Sequence, residues 1–166
     1  AAYLMRHNPA AIADAFDNLP TGVTLRLYVD GDFSSAADVA FWMNNLRVRP
    51  DIKAYEYSKS FSELLAYDGP WPVNYQLNIS GGHDHSPATV AAVAALPITR
   101  GEFVAVSIGR LVKGNEHGTR PIAAAVRANA GRRVFVCPGH CSACTPKGHA
   151  CGSSAFRNIP IAVAMH

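Results

Sequence analysis

The chain reads as an α/β fold, with a mainly parallel sheet made of repeated βα units and a C-terminal four-cysteine metal knuckle. Three observations predict this. Apolar runs of strand length alternate with helical patterns along the sequence. The 166 residues make a single α/β domain, 1–166, long enough to bury a core without staples. All four cysteines lie between Cys137 and Cys151, after the fifth strand-like run.

The elements follow in order. The amino terminus opens in helical sequence. Val23–Val29 (VTLRLYV) is a strand, and Ser34 or Ser35 caps a helix over Ala36–Leu46 that puts Ala37, Ala40, Phe41 and Asn44 on one face. Ile52–Tyr57 is the second strand, and a short helix opened by Ser60 or Ser62 runs to Leu65. After the turn at Asp68–Pro72, Val73–Ile79 alternates apolar and polar residues as a third strand should. Ser86 caps the next helix, Ala88–Leu96, with Pro87 at its first position. Phe103–Ile108 is strand four, and a helix near Ile122–Asn129 ends at Gly131. Arg133–Val136 is strand five and Ile159–Ala164 strand six, which Pro160 assigns to an edge or to partial pairing.

Such alternation implies right-handed βαβ crossovers, hence an incomplete (β/α) barrel or an open doubly wound sheet. A closed eight-fold barrel typically takes about 250 residues.

With 49% apolar and 16% charged residues, the composition is that of a globular protein. A net charge of +3 is too weak to demand a nucleic-acid partner. The basic stretch of Arg110, Lys113, Arg120, Arg127, Arg132 and Arg133 is either a solvated surface or a phosphate-binding one. No apolar run reaches the ~18–20 residues of a membrane span. The absence of a signal peptide, together with the clustered cysteines, points to a reducing cytoplasm.

The cysteine spacing is Cys137-x3-Cys141-x2-Cys144-x6-Cys151. Four soft ligands at such spacing suit tetrahedral Zn2+; an iron–sulfur cluster is the alternative, followed by disulfides or free thiols. Gly139, Pro146 and Gly148 permit the tight turns needed.

In parallel α/β folds, ligands bind at the carboxyl ends of the strands. Asp30 and Asp32 follow strand one, Ser58 and Lys59 strand two, and Ser80, His83, Asp84 and His85 strand three. Ser107 and Arg110, Cys137, and His166 follow in turn at strands four, five and six. From these, Asp30, Asp32, Lys59, His83, Asp84 and His85 are the candidate catalytic residues: carboxylates and imidazoles for proton transfer or ligation, and an ammonium for an anion. Asp32 also fits a turn or cap, and His83 to His85 a polar turn before a helix. GxGxxG, Walker and GxSxG motifs are absent.

Several segments form a pattern. These are LRLYVDGDF at Leu25–Phe33 with Trp42 in the following helix, YEYSKS at Tyr55–Ser60, ISGG at Ile79–Gly82, and the cysteines after VFVCP with a short strand ending at His166. Together they resemble the gene product 88 family of phage and mobile-element proteins. The resemblance implies a radical-SAM-like partial barrel with a cysteine-bound metal. This chain differs from that pattern in cysteine spacing and in lacking the upstream cysteine-bearing region of fuller members.

The residues favour a metal-binding, barrel-like protein, an enzyme with its site at the strand C-terminal ends, although no motif fixes a reaction. The alternatives are a nucleic-acid-binding accessory domain and a phage structural protein stapled by zinc. The partner is thus a small molecule or a nucleic acid; neither it nor an oligomeric state is specified.

Overall fold

The computed structural model describes residues 5, 7–109, 119–139, 144–145 and 148–165. Six parallel strands form one curled, half-barrel sheet in the order β1-β2-β3-β4-β6-β5. Along the chain come α1 (Pro9–Asp17), β1 (Thr24–Arg26), α2 (Ala36–Val48), β2 (Lys53–Ser58), α3 (Phe61–Ala66) and β3 (Tyr75–Ser80). Then follow α4 (Pro87–Ala94), β4 (Thr99–Ser107), α5 (Arg120–Asn129), β5 (Phe135–Val136), a 3-10 turn (Ser154–Phe156) and β6 (Ile161–Met165).

Local chemistry sets the helix starts. Ser35 Oγ accepts the Asp38 amide at the head of α2, and Ser86 Oγ accepts the Thr89 amide at the head of α4, where Pro87 occupies the first turn. Side-chain alternation then divides the sheet into two faces. Ala54, Leu77 and Ile79 meet the helices in a core with Val39, Met43, Leu46, Phe61 and Leu64. Val106, Ala162 and Ala164 continue that face against Ile122 and Val126 of α5. The described helices that pack on the sheet therefore share one face, as the crossovers of a barrel do and those of a doubly wound sheet do not.

The opposite, concave face carries Tyr55, Tyr57, Phe103, Phe135 and Ile161. Described residues after β5 lie across it: Cys137, Cys144, Ala150, Cys151 and Phe156 all pack into this cluster. Gly152 lies against the Tyr55 ring and Thr24, where a Cβ would make ordinary van der Waals contact at 3.4 and 3.6 Å. Every residue of β3 from Tyr75 to Ile79 is consequently buried, as expected of a strand covered on both sides.

Three expectations are corrected. β6 is not at an edge: it lies between β4 and β5, pairing with both, and Pro160 precedes the strand while its carbonyl accepts the Phe135 amide at 2.8 Å. The edge on this side of the sheet is β5, two residues long. β4 starts at Thr99, four residues earlier than the apolar run implies, because Thr99 and Arg100 are buried polar residues. β1 spans only Thr24–Arg26; beyond it Leu27 and Tyr28 remain buried and Val29 is exposed.

Candidate functional site

At the carboxyl ends of β2 and β3 the chain gathers four of the six candidate residues. The Asp32 carboxylate accepts hydrogen bonds from Ser58 Oγ (2.7 Å) and from the amides of Lys59 (2.6 Å), Ser60 (3.2 Å) and Phe33 (2.8 Å). Its oxygens thus tie the end of β2 to the β1–α2 loop, a positioning duty. Ser60, at the cap position of α3, donates its hydroxyl to the Phe33 carbonyl (2.7 Å), closing the same knot. Lys59 extends across the rim, and its Nζ donates to the Gly82 carbonyl at 3.2 Å.

His83 and His85 flank the Phe61 ring. His85 stacks on it at 4.4 Å, His83 meets it edge-on at 5.0 Å, and the two imidazoles stand 5.8 Å apart. His85 Nε2 lies 2.7 Å from the Lys59 carbonyl. A carbonyl can only accept, so Nε2 carries the proton and Nδ1 of the neutral ring is left with a lone pair. His83 Nδ1 is buried and has no hydrogen-bond partner. Asp30 and Asp84 are exposed on the same rim. Arg110 and His166 lie outside the described residues.

The second gathering is on the concave face. The Tyr57 hydroxyl donates to Cys151 Sγ at 2.7 Å, and the Ala150 amide donates to Cys144 Sγ at 3.2 Å. Arg26 places its guanidinium 4.7 Å from the centre of the Tyr57 ring, and Phe103 packs on that ring at 4.4 Å. Burial pushes the Cys151 thiol up to about 11, with the nearby Cys137 and Cys144 adding to the rise. Among the described residues no group of three or more His, Cys, Asp or Glu side chains is arranged to hold a metal ion. The expected knuckle is therefore absent from the described structure; Cys141, its second ligand, lies outside the described residues.

A buried polar ladder went unread in the sequence. Arg100 is 0% exposed and bonds Asn78 Oδ1 through Nε, the Phe156 and Ile159 carbonyls through Nη1 (3.0 and 2.9 Å), and the Glu102 carbonyl through Nη2 (3.0 Å). Asn78 Nδ2 in turn donates to the carbonyls of Glu56 (3.1 Å) and Cys151 (3.0 Å). Sheet and overlying loop are thus joined through side chains. On the helix face, Glu56 accepts the Tyr28 amide at 2.5 Å and the Tyr57 amide at 2.9 Å, yet burial raises its carboxyl to about 8. The period-two pattern of KAYEYS was the available signal: it puts Glu56 on the same face as Ala54 and Ser58.

Fold and rim together define a class: a parallel α/β half-barrel with a polar rim at its strand ends and a cysteine-bearing loop across its concave face. The family model described as "Gene product 88" matches residues 5–158. The chain belongs to the gene product 88 family. No curated protein and no solved structure matches it.

Proposed function

We propose that this chain is a metal-binding half-barrel enzyme in which Cys137, Cys141, Cys144 and Cys151 hold a zinc ion and the strand-end rim does the chemistry. The observation that carries the metal reading is that Cys137, Cys144 and Cys151 all border one apolar cluster on the concave face, although among the described residues their side chains are not grouped there as a metal site. Two of these sulfurs already accept hydrogen bonds, from the Tyr57 hydroxyl and the Ala150 amide, as metal-bound thiolates do. A zinc ion held by all four sulfurs would have no open position and would supply loop rigidity and folding energy. An iron–sulfur cluster is the alternative tenant of the same sulfurs.

At the rim, His85 can offer Nδ1 as a base, its ring oriented by the bond from Nε2 to the Lys59 carbonyl. The Lys59 ammonium, bonded to only one described carbonyl, has donors left for an anion. Proton transfer next to an anionic group is the reaction class this pairing serves. Asp32 holds Lys59 in place through its backbone amide. Elemental analysis and a visible spectrum of the purified, untagged protein test the metal reading. One colourless zinc per chain supports it, a brown iron-containing protein moves it to the cluster, and a metal-free protein refutes it.

A second reading has its own observation. Arg120 and Arg127, seven residues apart on one face of α5, line a cleft of about 430 Å3 with Cys137 and Pro138. Neither forms an ion pair among the described residues. Such a surface suits nucleic-acid phosphates, and affinity for DNA or RNA that falls steeply with salt would favour it.

A further inference from the structure

At the end of the sheet opposite the rim, the starts of β2 and β3 and the 148–154 loop enclose a cleft of about 360 Å3. Its floor includes Gln76, which is 8% exposed. Gln76 Nε2 donates to the Tyr75 carbonyl at 3.0 Å, and this fixes the amide's orientation, since a flipped amide would set oxygen against oxygen. Gln76 Oε1 is then a buried acceptor with no donor. Folded proteins rarely leave such an atom unmatched unless a ligand or solvent completes it.

The surroundings define what fits. Lys53 and His149 line the cleft with the hydroxyl residues Thr24, Ser153 and Ser154. A neighbouring cleft of about 250 Å3 shares Val73, Gln76 and Ser154 with it and adds Arg157. No carboxylate lines either cleft, and neither Lys53 nor Arg157 is ion-paired among the described residues. The walls are held firmly: Asn74 Nδ2 donates to the carbonyls of Leu46 (2.9 Å), Arg49 (3.1 Å) and Ile52 (2.6 Å), and the His149 ring lies 5.9 Å from that of Tyr55.

We infer that this cleft binds a small hydroxylated anion, of sugar-phosphate size, whose O–H donates to Gln76 Oε1 while its charged end meets Lys53. The cleft uses no rim residue and no cysteine sulfur, although Cys151 lies in the 148–154 loop that forms one wall, so metal content is measured alongside to tell the two apart.

The test is titration of ribose 5-phosphate into the isotope-labelled full chain, following the backbone amides of Gly152, Ser153 and Lys53 by NMR. Ribose and inorganic phosphate serve as the two half-ligands. Saturable shifts confined to this end are expected, with each half-ligand at least about tenfold weaker. Lys53→Met, at an exposed position, and Gln76→Met, which removes the orphaned acceptor, are each expected to weaken binding by about tenfold or more. Thermal melts of both variants establish that they fold. Absence of saturable shifts, equal affinity in both folded variants, or inorganic phosphate binding as tightly as ribose 5-phosphate would each overturn the inference.

Discussion

Tyr57 and Cys151, 94 residues apart in sequence, meet on the concave face of the sheet, the phenol donating to the sulfur at 2.7 Å. The bond fastens the cysteine loop to β2. It also places a donor on a sulfur that the proposed metal would claim. Tyr57→Phe keeps the ring against Phe103 and Arg26 but removes the donor. It is expected to cost about 1 kcal/mol of stability and to hasten loss of zinc to a chelator. Denaturation and chelator-release kinetics measure the two effects, and an unchanged release rate would separate the bond from the metal.

Arg100 is expected to be among the residues whose loss costs most. Its guanidinium holds β4 to the turn at 156–159 through the Phe156 and Ile159 carbonyls, and its own carbonyl accepts the Asn158 amide at 2.7 Å. Arg100→Met would leave those carbonyls and Asn78 Oδ1 without their donor, at a cost of about 3 kcal/mol or more. Arg100→Lys should rescue little, because one ammonium cannot span the fork. A urea midpoint near the wild-type value for either variant would contradict this.

Glu56 gives the fold a pH dependence of definite sign. Its carboxyl is raised from 4.5 to about 8 in the folded chain, mainly by burial. Between those values the folded state binds the extra proton, so stability must fall as pH rises. Below about pH 4.5 both states are protonated and the group has no effect; above about 8 the full loss, a few kcal/mol, is reached. Denaturant unfolding at pH 5.5 and pH 8.5 checks it for wild type against Glu56→Gln, with the steeper fall expected in wild type. Equal slopes would show that Glu56 is ionised throughout, its charge supported by the Tyr28 and Tyr57 amides.

Substitutions at Asp32 and His85 separate scaffold from the chemistry proposed for the rim. Asp32→Ala removes the acceptor for four donors and should lower stability by about 2 kcal/mol. His85→Ala is expected to leave the melting temperature nearly unchanged. Comparable losses for the two variants would mark His85 as structural too.

The alternation of strands and helices was legible because parallel strands and amphipathic helices carry different periods, and the caps at Ser35 and Ser86 announced themselves by residue type. The residues after each strand located the rim, since strand direction determines which end they reach. Arg100 and Gln76 were not legible. Each is a polar residue inside a sheet, satisfied or left open by groups distant in sequence, and period-two patterning does not reveal such partners. β6 between β4 and β5 was missed for a related reason. Pro160 sits just outside the strand, where it costs no ladder bond.

The proposed zinc ion would be held by Cys137, Cys141, Cys144 and Cys151, of which Cys137, Cys144 and Cys151 border the concave face. The direct measurement is zinc stoichiometry of the purified full chain beside that of the Cys144→Ser/Cys151→Ser double variant. About one zinc per wild-type chain is expected, and almost none in a variant that still folds. Wild-type protein free of metal, or a variant that retains its zinc, would contradict it.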